Sequence, residues 1–149
     1  MKRRLVLIGY LALLGIVIST YPTLTKRKRL AYTLAISRLS SLPPGALNTN
    51  VGTAGFFLAQ TFWVTFKASD KDIQHWIRAS PALATNTPIA VKNLTSAADT
   101  SSTDAPGWFR PASISKGICY RISQTQHANY GAVWIDEKAG MVYIKVAHK

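Results

Sequence analysis

Between two basic clusters at the start of the chain, residues 5–25 are uncharged, and the first 20 of them, residues 5–24, form a candidate span. As an α-helix, 20 residues extend about 30 Å, which matches the hydrocarbon thickness of a bilayer. The strongly apolar part, residues 5–18, is shorter and also suits the central region of a cleavable signal peptide. The nearest cleavage-site match is Val-Ile-Ser at residues 17–19, a poor one, because small residues are needed at two positions. We therefore predict that residues 1–25 form a retained single-pass transmembrane anchor or uncleaved signal.

The basic residues around this segment do not decide its orientation. Lys2, Arg3 and Arg4 precede the segment, and four basic residues at 26–29 follow it. Orientation normally follows the count of Lys and Arg on the two sides, and here the counts are nearly equal. We expect the rest of the chain to lie outside the cytoplasm, and a cytoplasmic-facing domain is the alternative.

The formal net charge of +12 suggests a nucleic-acid partner until its distribution is considered. Residues 1–40 hold eight basic and no acidic residues, whereas residues 41–149 hold ten basic and six acidic ones. Two thirds of the excess charge therefore lies around the apolar segment, where it can pair with lipid phosphates. We predict a membrane-surface basic cluster, which consists of Lys26, Arg27, Lys28 and Arg29. Membrane lipid is the expected partner of this cluster, and nucleic acid is not.

Residues 26–39, KRKRLAYTLAISRL, contain no helix breaker and carry apolar side chains at Leu30, Leu34 and Ile36. This pattern predicts a short helix. Its basic end could lie on lipid headgroups as an interfacial helix. Alternatively, the helix could be a stalk that packs partly on the following domain.

The stretch LPPGALNTNVG, residues 42–52, holds two prolines, two glycines and two asparagines. Such a composition predicts a linker or an extended connection, not a regular element. We therefore assign residues 26–55 to a basic juxtamembrane segment and linker, and residues 56–149 to one small domain.

The clearest local pattern is a strand followed directly by a capped helix. One face of the strand carries only apolar side chains: Phe62, Val64, Phe66 and Ala68. Ser69 is placed as an N-cap, and Asp72, three residues further on, completes a variant capping box. The helix carries a stripe at i, i+3 and i+4, made by Ile73, Trp76 and Ile77. Pro81 ends this helix.

The C-terminal third has the alternation of strands. The segments GICYRIS, YGAVWID and MVYIKVA each alternate, and Gly140 between the last two suits a positive-φ position in a hairpin loop. PIAVKNL, residues 88–94, is consistent with one more short strand, and the polar residues 95–106 read as an exposed loop. The resulting order β-α-loop-β-β-β predicts an α+β domain in which one helix packs on a small antiparallel sheet.

Catalytic and metal-binding patterns are weak in this sequence. The three histidines, His75, His127 and His148, lack ligand spacing, so we expect neither a metal nor a cofactor. Cys119 and His127 are the one conceivable thiol–imidazole pair, but an inert cysteine on a half-exposed strand face is the preferred interpretation. Asp136 and the next residue, Glu137, suit a solvated hairpin turn.

Aromatic residues suggest a binding surface. Trp63, Trp134 and Tyr143 are out of phase with the aliphatic residues of their strands, so they share the face away from the helix. This face could bind a protein or glycan partner. Alternatively, it is covered by the long loop, by residues 41–58 or by another subunit.

We expect a membrane-anchored, non-enzymatic binding or accessory domain of the cell envelope, because no motif specifies a reaction. One alternative is an enzyme with an unrecognised or subunit-shared site near Cys119 and His127. Another alternative is a cytoplasmic-facing domain that docks on anionic lipid or nucleic acid through residues 26–38.

Overall fold

The computed structural model describes residues 26–56, 59–93, 104–124 and 129–148. The predicted transmembrane segment, residues 5–24, lies outside these residues, so it stays a prediction. Among the helices that the structure does describe, none is long and apolar enough to cross a membrane.

Six strands pair in one antiparallel sheet, in the order β1-β2-β6-β5-β4-β3, within the described residues. The strands are β1 (Leu47–Phe56), β2 (Ala59–Lys67), β3 (Ile89–Ala90), β4 (Gly117–Gln124), β5 (Asn129–Asp136) and β6 (Met141–His148). The helices are α1, whose described part covers residues 26–36, α2 (Asp70–Ala79) and α3 (Pro81–Ala84). The α+β class predicted from the sequence is confirmed, and the sheet has more strands than the predicted order.

The helices pack on one face of the sheet. Strands β1 and β2 form a hairpin, and β4, β5 and β6 follow one another until β6 pairs with β2. Helices α2 and α3 carry the chain from β2 to the short strand β3 at the far edge. We call the side on which these helices pack the helix face, and the opposite side the second face.

The capped helix forms as the sequence predicts. The backbone N–H of Asp72 donates to Ser69 Oγ at 3.2 Å, and Ser69 Oγ donates to Asp72 Oδ2 at 2.7 Å. The cap therefore satisfies one of the backbone donors that a helix start leaves open. Helix α2 ends at Ala79 because Pro81 cannot continue its hydrogen-bond ladder, and Pro81 instead occupies the first turn of α3.

A large apolar core lies between the helix face and the helices. Its buried sheet residues come from four strands, and those at 0% exposure are Val64, Phe66, Val133, Val142, Ile144 and Val146. The helices contribute Leu34 from α1, the predicted stripe Ile73, Trp76 and Ile77 from α2, and Leu83 from α3. Burial of each such side chain contributes about 1.5–3 kcal/mol, so this core is the main source of stability.

Strand β1 corrects the interpretation of residues 42–52 as a linker. From Leu47 onward this stretch is a strand that pairs with β2, with a register shift between Leu47 and Asn50. The strand lies at the sheet edge, where a single neighbour is paired and where Asn and Gly are tolerated. Gly52 has a specific role, because a Cβ there would lie 3.0 Å from Pro106 and 3.1 Å from Trp108.

Helix α1 packs on the domain, as the stalk alternative predicts, and the placement of its basic end on lipid stays a prediction. Leu34 and Leu39 are 7% and 6% exposed and belong to the helix-face core. The helix ends in a Schellman motif, in which Leu39 N–H bonds to Leu34 O at 2.9 Å and Arg38 N–H to Ala35 O at 3.1 Å. Arg38 takes the left-handed conformation that this motif requires, with φ 54°.

The chain that follows α1 is fixed to the other two helices. Ser40 Oγ donates to Ala79 O at 2.6 Å, and Trp76 Nε1 donates to Ser40 O at 3.0 Å. In addition, Ser40 N–H bonds to Ser80 Oγ at 3.1 Å and Ala82 N–H bonds to Arg38 O at 3.2 Å. These contacts join the end of α1 to both α2 and α3.

Candidate binding surfaces

The basic cluster lies at the N-terminal end of the described part of α1. Lys26, Arg27, Lys28 and Arg29 are all exposed. Lys26 Nζ donates to Thr49 O at 3.0 Å, which ties this end of the helix to β1. The single ion pair within the described ranges joins Lys116 and Glu137, so no carboxylate of those ranges neutralises the cluster.

A groove of about 280 Å³ lies beside this cluster, between α1 and the hairpin of β1 and β2. Its lining residues are Lys28, Arg29, Tyr32, Thr53, Gln60 and Phe62, and we call it the α1 groove. Tyr32 is 44% exposed, and its ring centroid lies 5.5 Å from that of Phe62 and 6.5 Å from that of His148. The α1 groove therefore combines two cations with polar and aromatic groups from three elements.

Trp63, Trp134 and Tyr143 share the second face, as their strand phase predicts, but they are buried. They are 1%, 1% and 9% exposed, respectively. Residues 105–114, which we call the cover segment, pack across them. The prediction that these three side chains bind a protein or glycan stays a prediction, and direct contact requires the cover segment to move.

Phe109 attaches the cover segment to the sheet. Its ring centroid lies 5.9 Å from that of Trp134 and 5.8 Å from that of Tyr143, both in edge-on geometry. The neighbouring Trp108 is 36% exposed. Pro106 and Trp108 instead pass close over Gly52 of β1, where a larger residue would push them away.

The indole nitrogens beneath the cover segment lack acceptors. Neither Trp63 Nε1 nor Trp134 Nε1 has a hydrogen-bond partner within the residues that the structure describes, although both atoms are buried. A buried polar group without a partner costs about 1–3 kcal/mol. The second face is therefore held by ring packing and not by hydrogen bonds to these indoles.

Burial also changes the acidity of the phenol on this face. It raises the pKa of Tyr143 above 10.0, the nearby Asp136 carboxylate raises it further, and a hydrogen bond to Ser113 opposes the rise. On the helix face, burial raises the pKa of Tyr120 as well. Both phenols are therefore neutral near pH 7 and are not poised to exchange protons there.

The remaining part of the second face is an open groove of about 290 Å³, which we call the sheet groove. The β4, β5 and β6 residues that line it are Cys119, Arg121, Ile122, Ser123, Tyr130, Gly131, Ala132, Trp134 and Lys145. Ala132 of β5 pairs with Arg121 of β4 and with Lys145 of β6. The two cationic residues therefore flank Ala132 from the two neighbouring strands. The site is not evident from the sequence, because the alternation within each strand does not reveal which residues of β4, β5 and β6 lie side by side.

Cys119 is 1% exposed, so the half-exposed position expected for it is wrong. Strand β3 pairs alongside it through Ile89, and Ile114 of the cover segment belongs to the same buried cluster. Its Sγ lies 3.8 Å from Tyr120 O, a weak contact within β4. His127, the other member of the conceivable pair, lies outside the described residues.

The other titratable candidates lie apart from one another. His75 is exposed on α2, whereas His148 ends β6 beside Tyr32. Asp136 Oδ1 accepts from the N–H groups of Lys138 and Ala139 at 3.0 Å each, as a turn residue does. In the described part of the chain, no group of three or more His, Cys, Asp or Glu side chains could hold a metal ion.

Comparison of the chain with protein-family models, with curated proteins and with solved structures found no match.

Proposed function

We propose that this chain is a membrane-anchored, non-enzymatic binding domain of the cell envelope, attached by a single span at residues 5–24 and placed outside the cytoplasm. The observation that carries this proposal is the docking of α1 into the helix-face core. The basic cluster directly follows the uncharged segment and is exposed on the docked helix. In this proposal, the domain lies close to the membrane surface because α1 is docked on it.

Rigid attachment favours a binding or accessory role at the membrane surface. Fixing a domain near a bilayer raises its effective concentration toward partners in the same layer. Four adjacent cations also repel one another, and this repulsion is relieved beside anionic lipid, where each Lys or Arg contributes about 1 kcal/mol. The basic cluster thus supports lipid as one partner.

The second partner surface in this proposal is the sheet groove. Trp63, Trp134 and Tyr143 form the buried support at its side, and Arg121 and Lys145 supply positive charge at its opening. A protein or glycan that carries carboxylates suits such a surface, because charge-assisted hydrogen bonds to Arg and Lys are the stronger ones. No observation favours a second function, since the Cys119 thiol of the enzyme alternative is buried.

Membrane fractionation tests the anchor. The full chain should stay in the membrane pellet after extraction with alkaline carbonate, because a spanning segment resists extraction. A variant with Leu11→Arg and Leu14→Arg should move to the supernatant, since charged residues at the centre of a span are costly. A matched variant with Leu11→Ile and Leu14→Ile should remain in the pellet. Extraction of the unmodified chain would contradict the proposal.

Thiol labelling tests the side of the membrane. Because Cys119 is buried, the probe needs a cysteine at an exposed position, such as Ser115→Cys in a Cys119→Ser background. A membrane-impermeant maleimide should label this variant in intact cells to the same extent as after lysis. Labelling that requires lysis would instead support the cytoplasmic alternative.

A further inference from the structure

The α1 groove has the composition of a site for a phosphate group. Lys28 and Arg29 supply positive charge from α1, Thr53 and Gln60 supply polar groups from the hairpin, and Tyr32 supplies an exposed ring. A guanidinium binds phosphate oxygens in bidentate fashion, and an ammonium adds a point charge. A lone exposed cation on a helix lacks such convergent polar neighbours.

The position of the groove along the chain suits a lipid headgroup. Lys28 and Arg29 follow Thr25, where the uncharged residues end, by three and four residues. Three or four residues reach at most about 10–14 Å even when fully extended, so both cations lie close to the polar layer of a bilayer that this segment crosses. The polar layer of a bilayer is about 5–7 Å thick on each side, since about 30 Å of a total of 40–45 Å is hydrocarbon.

The aromatic residue at the groove fits the same location. Tyr32 is 44% exposed and packs one side of its ring on Phe62, so it presents both an apolar body and a hydroxyl. Tyrosine is enriched at membrane–water interfaces for this reason. Gln60, which lines the groove, pairs with His148 across β2 and β6. Both residues therefore lie at the end of the sheet that is next to the groove.

We infer that the α1 groove binds the phosphate headgroup of an anionic phospholipid, with Lys28 and Arg29 on the phosphate and Tyr32 at the interface. The inference rests on the anchor in the proposed function and adds a specific ligand site to it. A bound headgroup keeps the end of the sheet that carries Gln60 and His148 close to the bilayer. The domain then has one orientation on the membrane, and the sheet groove faces a defined direction.

The test compares variants of equal charge in the full chain, held in neutral detergent micelles. Short-chain phosphatidylglycerol is titrated, and binding is followed by the rise in Tm, with phosphatidylcholine as the neutral control. The unmodified chain should prefer phosphatidylglycerol. Lys28→Gln with Arg29→Gln should weaken this affinity by about 100-fold or more, because each change removes a charge-assisted contact to the phosphate. Lys26→Gln with Arg27→Gln should weaken it by about 25-fold or less, because neither residue lines the groove and each loses only about fivefold through general attraction to anionic lipid.

Equal losses in the two double variants would overturn the inference, since attraction to a diffuse positive charge predicts equality. A second pair of variants avoids the cluster altogether. Gln60→Glu places a carboxylate in the groove and should weaken phosphatidylglycerol binding, whereas Gln74→Glu on exposed α2 should leave it unchanged. An unchanged affinity in Gln60→Glu would also contradict the site.

Inorganic phosphate separates the two possible sources of the ligand. At the concentration at which phosphatidylglycerol saturates, inorganic phosphate should not raise Tm, because the lipid is held by its chains as well as its headgroup. An equal shift with inorganic phosphate would overturn the lipid assignment. Failure of the anchor itself is seen independently, as carbonate extraction of the unmodified chain.

Discussion

The two faces of the sheet are buried in different ways. On the helix face, buried polar groups have partners: Trp76 Nε1 donates to Ser40 O, and Ser37 Oγ donates to Thr33 O. On the second face, an irregular segment covers the aromatic residues, and the indole nitrogens of Trp63 and Trp134 lack acceptors among the described residues. The contrast indicates that the helix face contributes more to stability than the second face does.

The largest effect is expected from a truncation in the helix face. Phe66 is 0% exposed, and its ring centroid lies 5.3 Å from that of Trp76. Phe66→Ala should lower the free energy of unfolding by about 3–5 kcal/mol, because it removes buried surface and leaves a cavity under the helices. Denaturant unfolding of the full chain in micelles measures this loss. A loss below about 1 kcal/mol would show that the helices are not docked as described.

The corresponding truncation of the cover segment should have a smaller effect on stability. Phe109→Ala should lower the free energy of unfolding by about 3 kcal/mol or less, since the ring lies at the margin of the fold. It should also make Trp63 and Trp134 accessible to acrylamide. Fluorescence quenching measures this access, in a Trp108→Phe background that removes the exposed indole. Unchanged quenching would mean that Phe109 does not hold the cover segment in place.

Matched indole substitutions compare the two faces directly. Trp76→Phe and Trp63→Phe remove similar volume from buried sites, but Trp76 alone has a hydrogen bond to lose. Trp76→Phe should therefore cost about 1–3 kcal/mol more than Trp63→Phe, because it leaves Ser40 O without its donor. Denaturant unfolding of both variants gives the difference. Equal costs would contradict the difference in hydrogen bonding between the faces.

The smallest effect is confined to alkaline pH. Since burial and then Asp136 raise the pKa of Tyr143 above 10.0, the folded state keeps this proton at a pH where the unfolded state loses it. The stability that the protonated Tyr143 phenol contributes is therefore fully present below pH 10.0, and it is lost as pH rises through the folded pKa. Tyr143→Phe should make the fall in stability above this pH shallower. An unaltered pH dependence of Tm would show that the phenol is not buried in the fold.

The local pattern of the sequence predicts much of the helix face. Ser69, Asp72 and Pro81 define α2 through short-range chemistry, and strand alternation assigns Val64 and Phe66 to one face. Such signals depend only on neighbours along the chain, so they can be read without knowledge of the fold.

The remaining features depend on contacts between distant segments. Strand β1 is held by its pairing with β2, and its Asn and Gly residues do not reveal it locally. The burial of Cys119 depends on β3 and on Ile114, and the sheet groove depends on the register of Arg121 and Lys145 around Ala132. For the same reason, strand alternation places Trp63 and Trp134 on one face of the sheet, but it does not show which distant segment covers them.

We propose that α1 follows a membrane anchor and is docked on the domain in one fixed arrangement. Spin labels at exposed positions, with Ala31→Cys on α1 and Gln74→Cys on α2 in a Cys119→Ser background, report their separation. The measurement is made on full chain in the carbonate-resistant vesicle fraction. We expect one narrow distance distribution that is the same in micelles and in vesicles. A broad distribution, or the absence of the chain from that fraction, would contradict the claim.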